Sequence, residues 1–257
     1  MSTAFHIVTP ARYASPRLPA KPLRDIGGKP MIQWVHQQAL AAGACSVTVA
    51  TDDERIRDAV RGFGGEVVMT SPDHPSGTDR LEEVARLLGF GDDTILVNVQ
   101  GDEPLLPPAV IRQVAINLAA RPDAAVATLC EPIVDVADFD NPNVVKAVAD
   151  QGGMALYFSR APIPWPRDHR LARAPGLPEG LDARRHLGIY AYRVRELREF
   201  VTWPVAPLER LECLEQLRFL WHGRRIHLAE ACAPVPGGVD TEADLARVID
   251  ILGGIAP

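Results

Sequence analysis

"SVTVATDDERIRDAVRGFGGEVVMT", residues 46–70, decides the fold. Its first six residues are apolar or β-branched and read as a buried strand. "DDERIRDAVRGFGG" opens on acidic residues, which suit the positive end of a helix dipole, and closes on glycine, a common helix stop. "EVVMT" is a second short apolar run. Strand, helix and strand in so few residues predict a βαβ unit, hence parallel strands with a right-handed crossover.

The same alternation extends in both directions. Upstream, Ala4 to Thr9 reads as a strand ended by Pro10, and "KPMIQWVHQQALAAG" (29–43) as a helix with Pro30 near its first turn. Downstream come a helix, "SGTDRLEEVARLLG", capped by Ser76 or Thr78, a strand, "TILVNVQ", and a helix, "PPAVIRQVAINLAA". The fold class is therefore α/β, with a mostly parallel central sheet. Ligands in such sheets bind beyond the carboxyl ends of the strands. Three loops follow candidate strands there: Pro10–Pro22, Ser71–Thr78 and Gln100–Pro104.

After residue 121 the pattern changes. "AAVATLC", "NVVKAVAD", "MALYFSR" and "RHLGIYAYR" read as strands, with Gly152-Gly153 as a hairpin signal. Residues 161–185, rich in proline and arginine, read as a long loop. A single helix is expected from Pro207 to Trp221, a strand at "RRIHLAEA" and a last helix at "VDTEADLARVIDIL", capped by Asp240 or Thr241. The second half reads as a lobe added to the first.

Bulk properties narrow the function classes. At 257 residues and 47% hydrophobic, the chain can bury a substantial core. A net charge of −6 excludes a general nucleic-acid binder. The four cysteines form no C-x-x-C pair, and the seven histidines form no H-x-x-x-H. Neither a zinc site nor a disulfide framework is expected. The N-terminus has no signal-peptide pattern and no run suits a membrane span, so the expectation is a soluble protein of a reducing compartment.

Five features can carry chemistry. The loop "PARYASPRLPAKP" (10–22) holds Arg12, Arg17 and Lys21, suited to a polyanion, or it is simply a solvated basic loop. It matches neither a P-loop nor a dinucleotide fingerprint. Asp102, in "VNVQGDEP", is placed to hold a hard divalent cation such as Mg²⁺, or is a turn residue. Asp240 is a second metal ligand or a helix cap. Ser76, Gly77 and Thr78 offer amides and hydroxyls to a base edge or an anion, with His74 nearby. Last comes a polar set in the second half: Arg160, His186, Tyr190, Glu212, Glu215 and Gln216. Strand alternation puts His186 and Tyr190 on one face, and helical spacing puts Glu212, Glu215 and Gln216 on another.

"PARYASPRLPAKPL", "SPDHPSGTDRL", "VNVQGDEP", "ALYFSRAPIPWPRD", "RHLGIYAYR", "PLERLECLEQLR" and "GVDTEADL" occur in this order along nearly the whole chain. Together they resemble the 3-deoxy-manno-octulosonate (Kdo) cytidylyltransferases, or CMP-Kdo synthetases, within the wider nucleotidyltransferases. The resemblance implies a Rossmann-like nucleotidyltransferase fold with an inserted sugar-binding and dimerisation lobe. In that reading residues 1–121 mainly bind CTP, 122–230 mainly bind sugar and dimerise, and 231–257 supply a metal-ligand loop and closing helix of one domain. It implies transfer of CMP from CTP to Kdo with release of pyrophosphate, feeding lipopolysaccharide synthesis. It also implies Mg²⁺ as cofactor, a cytoplasmic homodimer, and neither nucleic-acid binding nor membrane insertion.

Residue by residue, the resemblance assigns Arg12, Arg17 and Lys21 to the triphosphate, and Ser76, Gly77 and Thr78 to the cytosine side. Asp102 and Asp240 become the Mg²⁺ ligands, with Lys21 beside them in catalysis. Arg80, Gln100, Arg160, His186, Tyr190, Glu215 and Gln216 fall to the sugar-acid pocket. Ala20 departs from the family's usual glycine, which matters only if that position needs positive φ. The rival readings are a cytidylyltransferase for 8-amino-Kdo or neuraminate, and an inactive nucleotide-binding module.

Overall fold

The computed structural model describes residues 3–14 and 18–253. Its strands are β1 (His6–Ala11), β2 (Asp25–Ile26), β3 (Lys29–Pro30), β4 (Ser46–Thr51), β5 (Glu66–Met69), β6 (Ile95–Asn98), β7 (Val126–Pro132), β8 (Lys146–Ala149), β9 (Ala155–Ser159), β10 (Arg184–Arg193) and β11 (Ile226–Glu230). Its α-helices are α1 (Met31–Ala41), α2 (Glu54–Gly62), α3 (Gly77–Leu87), α4 (Pro108–Ala120), α5 (Val136–Asp140), α6 (Arg167–Leu171), α7 (Val194–Phe200), α8 (Pro207–Glu212), α9 (Leu217–Trp221) and α10 (Glu242–Gly253).

The main sheet runs β11-β7-β10-β6-β1-β4-β5. β1, β4, β5 and β6 are mutually parallel, as the βαβ pattern requires, and β11 is parallel to β7. β10 is antiparallel to both its neighbours and carries the β8–β9 hairpin at one end. The second half thus extends the first sheet rather than building its own.

Strand alternation sends side chains to two cores. Ile7 and Val97 face α1 and α4, through Val35, Ala39, Val110 and Val114. Val8 and Leu96 face α3 and α7, through Leu81, Val84, Leu197 and Phe200. A third cluster joins Leu18 of the basic loop and Met31 to Val239, Leu245, Val248 and Leu252 around α10.

Two local expectations need correction. Pro10 does not end β1; it pairs with Ala50 inside the strand. The β1–β6 ladder stops at Val8, so beyond it β1 is paired on one flank, where a residue lacking an N–H is tolerated. The helix expected over 207–221 is two helices. Cys213, with φ of 51°, breaks it without a glycine or proline to announce the break.

Candidate active site

The turn after β6 lies over the end of β1. A Cβ on Gly101 would come within 2.9 Å of the Pro10 carbonyl oxygen, so glycine is required there. One residue on, the Asp102 carbonyl accepts from Val239 N at 2.9 Å. That bond brings the chain just before α10 alongside the turn. Lys21 closes the arrangement: its Nζ donates to Asp102 Oδ2 at 2.7 Å and to Asp240 Oδ1 at 2.9 Å. Burial pulls the Lys21 pKa down, but the two carboxylates outweigh it and hold the ammonium above its usual value.

The two readings of Asp240 are now separable. Thr241 caps α10: its Oγ1 accepts from Asp244 N at 3.2 Å and donates to Asp244 Oδ2 at 2.7 Å, while Asp244 also accepts from Thr241 N. With that duty taken, the Asp240 carboxylate is turned to Lys21. Two carboxylates converging on one cationic centre are a donor set that suits a hard divalent ion sharing its remaining positions with phosphate oxygens and water.

Lys21 begins a single 3₁₀ turn, Lys21–Leu23, entered from Ala20 at φ of 55°. The position where the resemblance expects glycine does adopt the left-handed conformation, and alanine bears its steric cost.

Arg12 shares a cleft of about 220 Å³ with Lys21, Gln100, Gly101 and Asp102. Its guanidinium donates to His74 O at 2.7 Å and Ser76 O at 3.4 Å, tying the basic loop to the 71–76 loop. Arg17 lies outside the described residues. His74 Nε2 meets Glu83 Oε2 at 2.6 Å, and Ser71 N donates to the same oxygen at 2.9 Å. Burial would raise the Glu83 pKa; these two partners more than offset it. Ser76 caps α3, its Oγ accepting from Thr78 N and Asp79 N. Thr78 Oγ1 donates to Glu215 Oε1. Both hydroxyls expected to be available to a ligand are therefore engaged within the protein.

On the second-half side, His186 and Tyr190 do share a face, with ring centroids 5.4 Å apart, although a bulge interrupts β10 between them. His186 is half-buried, and desolvation lowers its pKa to about 3 and keeps the ring neutral. Thr128 Oγ1 lies 3.0 Å from its Nε2. Burial raises the Glu215 carboxyl despite hydrogen bonds from Ser76 and Thr78. Gln216 sits buried at the start of α9.

Glu212, Glu215 and Gln216 do not share a helical face, because the turn at Cys213 separates them. Glu212 receives Ser159 Oγ at 2.7 Å and Arg160 N at 2.9 Å instead. Arg80 is a second correction. It is fully buried and donates to Thr70 Oγ1 and, at 2.9 Å, to Asp52 Oδ2. Those partners follow β5 and β4, whereas His186 is on β10, across β6 and β1. Gln100 lies with Lys21 and Asp102 rather than with His186.

A second cavity, of about 300 Å³, opens between the 102–104 turn, β10 and residues 235–238. Glu103, Arg185 and Val144 line it, and none of the three carries a sequence signal for a ligand. Glu103 reads as turn chemistry beside Asp102, and Arg185 as the end of an arginine-rich loop. Burial and the neighbouring Asp102 charge push the Glu103 carboxyl up to about 8, against the pull of Arg185.

A family model described as "Cytidylyltransferase" matches residues 6–226, from β1 to the start of β11. The chain belongs to the cytidylyltransferase family. Curated relatives agree on a narrower name. This cytidylyltransferase is 63% identical over 250 residues (97% of this chain, 98% of the relative) to the 3-deoxy-manno-octulosonate cytidylyltransferase of Cellvibrio japonicus. It is 60% identical to the enzyme of that name from Pseudomonas fluorescens, over 98% of this chain and 99% of the relative. A solved structure of CMP:2-keto-3-deoxy-manno-octonic acid synthetase complexed with CTP superposes with a TM-score of 0.88 at 43% identity, covering 98% of this chain and 100% of the other. A nucleotidyl transferase from Methanothermobacter thermautotroptrophicus, at 18% identity and a TM-score of 0.61, shares the fold. Among the described residues, no helix of this cytidylyltransferase is long and apolar enough to cross a membrane.

Proposed function

We infer that the protein transfers CMP from CTP to the anomeric 2-hydroxyl of Kdo, giving CMP-Kdo and pyrophosphate. The observation that carries this reading is the convergence of Asp102 and Asp240 on Lys21, beside Arg12, in a chain so close to the Kdo cytidylyltransferases. The uniform name among relatives 57–63% identical favours Kdo over 8-amino-Kdo or neuraminate. Retention of both carboxylates and Lys21 argues against an inactive module.

In this reading Arg12 and Lys21, with Arg17, hold the β- and γ-phosphates and balance the charge of departing pyrophosphate. Asp102 and Asp240 hold Mg²⁺. When bound, that ion supplies positive charge at the α-phosphate and acidifies a nearby hydroxyl. The loop at Ser76–Thr78 receives the base through Gly77, since both hydroxyls, the Thr78 amide and the Ser76 carbonyl are engaged. Arg160, His186, Tyr190, Glu215 and Gln216 orient the sugar acid, and Gln100 lies between the two substrates.

His186, neutral and facing the cavity, binds a hydroxyl and does not abstract a proton. The new bond joins the sugar oxygen to the α-phosphorus as the α–β anhydride bond breaks. The hydroxyl proton leaves to solvent. Positioning and electrostatics supply the rate. The cytoplasmic homodimer, the role in lipopolysaccharide synthesis and the division into a CTP half, a sugar lobe and a closing segment belong to the same proposal.

The test is pyrophosphate release from CTP, with and without Kdo and Mg²⁺, repeated with 8-amino-Kdo and N-acetylneuraminate. Release that depends on CTP, Kdo and the ion together is the expected result. Preference for another sugar acid, or no release at all, overturns the assignment.

A further inference from the structure

Lys146 is one of three lysines in the chain and is fully buried. Its Nζ donates to three carbonyl oxygens: Asn141 at 2.8 Å, Val144 at 2.5 Å and Arg160 at 2.7 Å. Three acceptors around one nitrogen use three N–H donors, the number an ammonium has and a neutral amine lacks. Burying such a cation is costly unless every proton is matched. Here the three bonds go to backbone carbonyls, while Asp140 and Glu212 favour the charge from nearby without bonding to it.

The three acceptors come from two places that the chain must hold together. Asn141 and Val144 belong to the turn before β8, and Arg160 follows β9. The turn leads directly to the candidate sugar side, because Val145 O accepts from His186 N at 2.8 Å and Val144 lines the cavity shared with His186. Arg160 leads there by another path. Its guanidinium donates to Glu212 O at 2.6 Å, Cys213 O at 3.3 Å and Pro142 O at 3.0 Å. It thereby holds the break between α8 and α9, from which Glu215 and Gln216 emerge.

We propose that Lys146 is a positioning residue for the sugar-acid site, clamping the 141–144 turn to Arg160 so that His186 on one side and Glu215 and Gln216 on the other are held in register. The inference rests on the Kdo reading above. It adds a residue that touches no substrate and acts through Arg160 and the turn.

Steady-state kinetics of K146M, K146Q, R160A and the K146Q/R160A double variant test it, with CTP binding followed by calorimetry. The expected result is a KM for Kdo raised roughly tenfold to a hundredfold in K146M and K146Q. KM for CTP and calorimetric CTP affinity should stay within about twofold. K146Q should add little in the R160A background, because residues acting in series are not additive.

An unchanged KM for Kdo, with only a lowered melting temperature, overturns the proposal. So do equal losses for both substrates, full additivity with R160A, or lysine variants unable to fold and bind CTP, since each makes Lys146 a general fold determinant. If the wild-type protein turns over CTP with another sugar acid and not Kdo, the Kdo reading fails. The clamp is then judged on the KM of that acid.

Discussion

Asp102 and Asp240 meet on one ammonium group, that of Lys21, although most of the chain separates them. One carboxylate arrives on the turn after β6, the other on the approach to α10, and the Val239–Asp102 backbone bond fixes their spacing. Replacing either aspartate with asparagine keeps the shape and removes the charge. We expect kcat to fall by at least about a hundredfold in D102N and in D240N. Melting temperatures should change little, because both carboxylates are partly exposed. Titrating Mn²⁺ against activity and following thermal unfolding of the same samples checks both statements.

Ala20 stands at φ of 55° immediately before Lys21. An L-residue there costs about 1–2 kcal/mol relative to its preferred conformation. Glycine relieves that cost but loses more entropy on folding, by about 0.5–1 kcal/mol. A20G is therefore expected to be slightly more stable, by at most about 1.5 kcal/mol, with unchanged KM for CTP. Urea unfolding and CTP saturation curves measure the two effects.

Arg218 and Glu209 form an ion pair nearly closed to solvent, with Nε to Oε2 at 2.7 Å, and Glu209 Oε2 also receives Ala206 N at the start of α8. Removing one partner strands the other charge. R218M is expected to lose about 3–5 kcal/mol. The double variant R218M/E209L should recover much of that loss, because a buried pair replaced by apolar groups can be nearly neutral. Chemical denaturation of the two single variants and the double variant decides it.

His186 sets a pH dependence of stability. Its folded pKa is lowered from 6.5 to about 3, so between those values the unfolded chain takes up a proton that the folded chain refuses. Stability then rises with pH across this window and falls as acid is added. H186N should flatten that slope between pH 6 and pH 4 in urea titrations, relative to wild type. An acid limb in the wild-type activity profile above pH 6 should not come from His186.

The parallel half of the fold was open to sequence reading because local signals repeat there: apolar runs, acidic helix starts and glycine stops. β4 spans Ser46–Thr51, the same six residues as the opening run, and Ser76, one of the two cap candidates, caps α3. The antiparallel half was less open. α7 continues directly from β10 with no breaker between them, and Cys213 turns left-handed with no glycine or proline beside it. Among the site residues, charge was easy to find and connection was not. Lys21, Asp102 and Asp240 stood out by type and context. The resemblance sets Arg80 in the sugar-acid pocket, yet its partners Asp52 and Thr70 come from two other strand ends, which only the folded chain reveals. Lys146 carries no motif, and its role depends on three carbonyls that no sequence pattern marks.

Leu18, within the basic loop, is buried in one cluster with Ile26, Met31 and Val239 and, from the last helix, Leu245, Val248 and Leu252. A nascent chain halted before Glu242 already contains every arginine of the cleft and both aspartates, yet it lacks the helix that completes the apolar seat on which that loop rests. Competence to grip nucleotide therefore arrives late in synthesis, and trimming the C-terminus should disable a loop more than two hundred residues upstream.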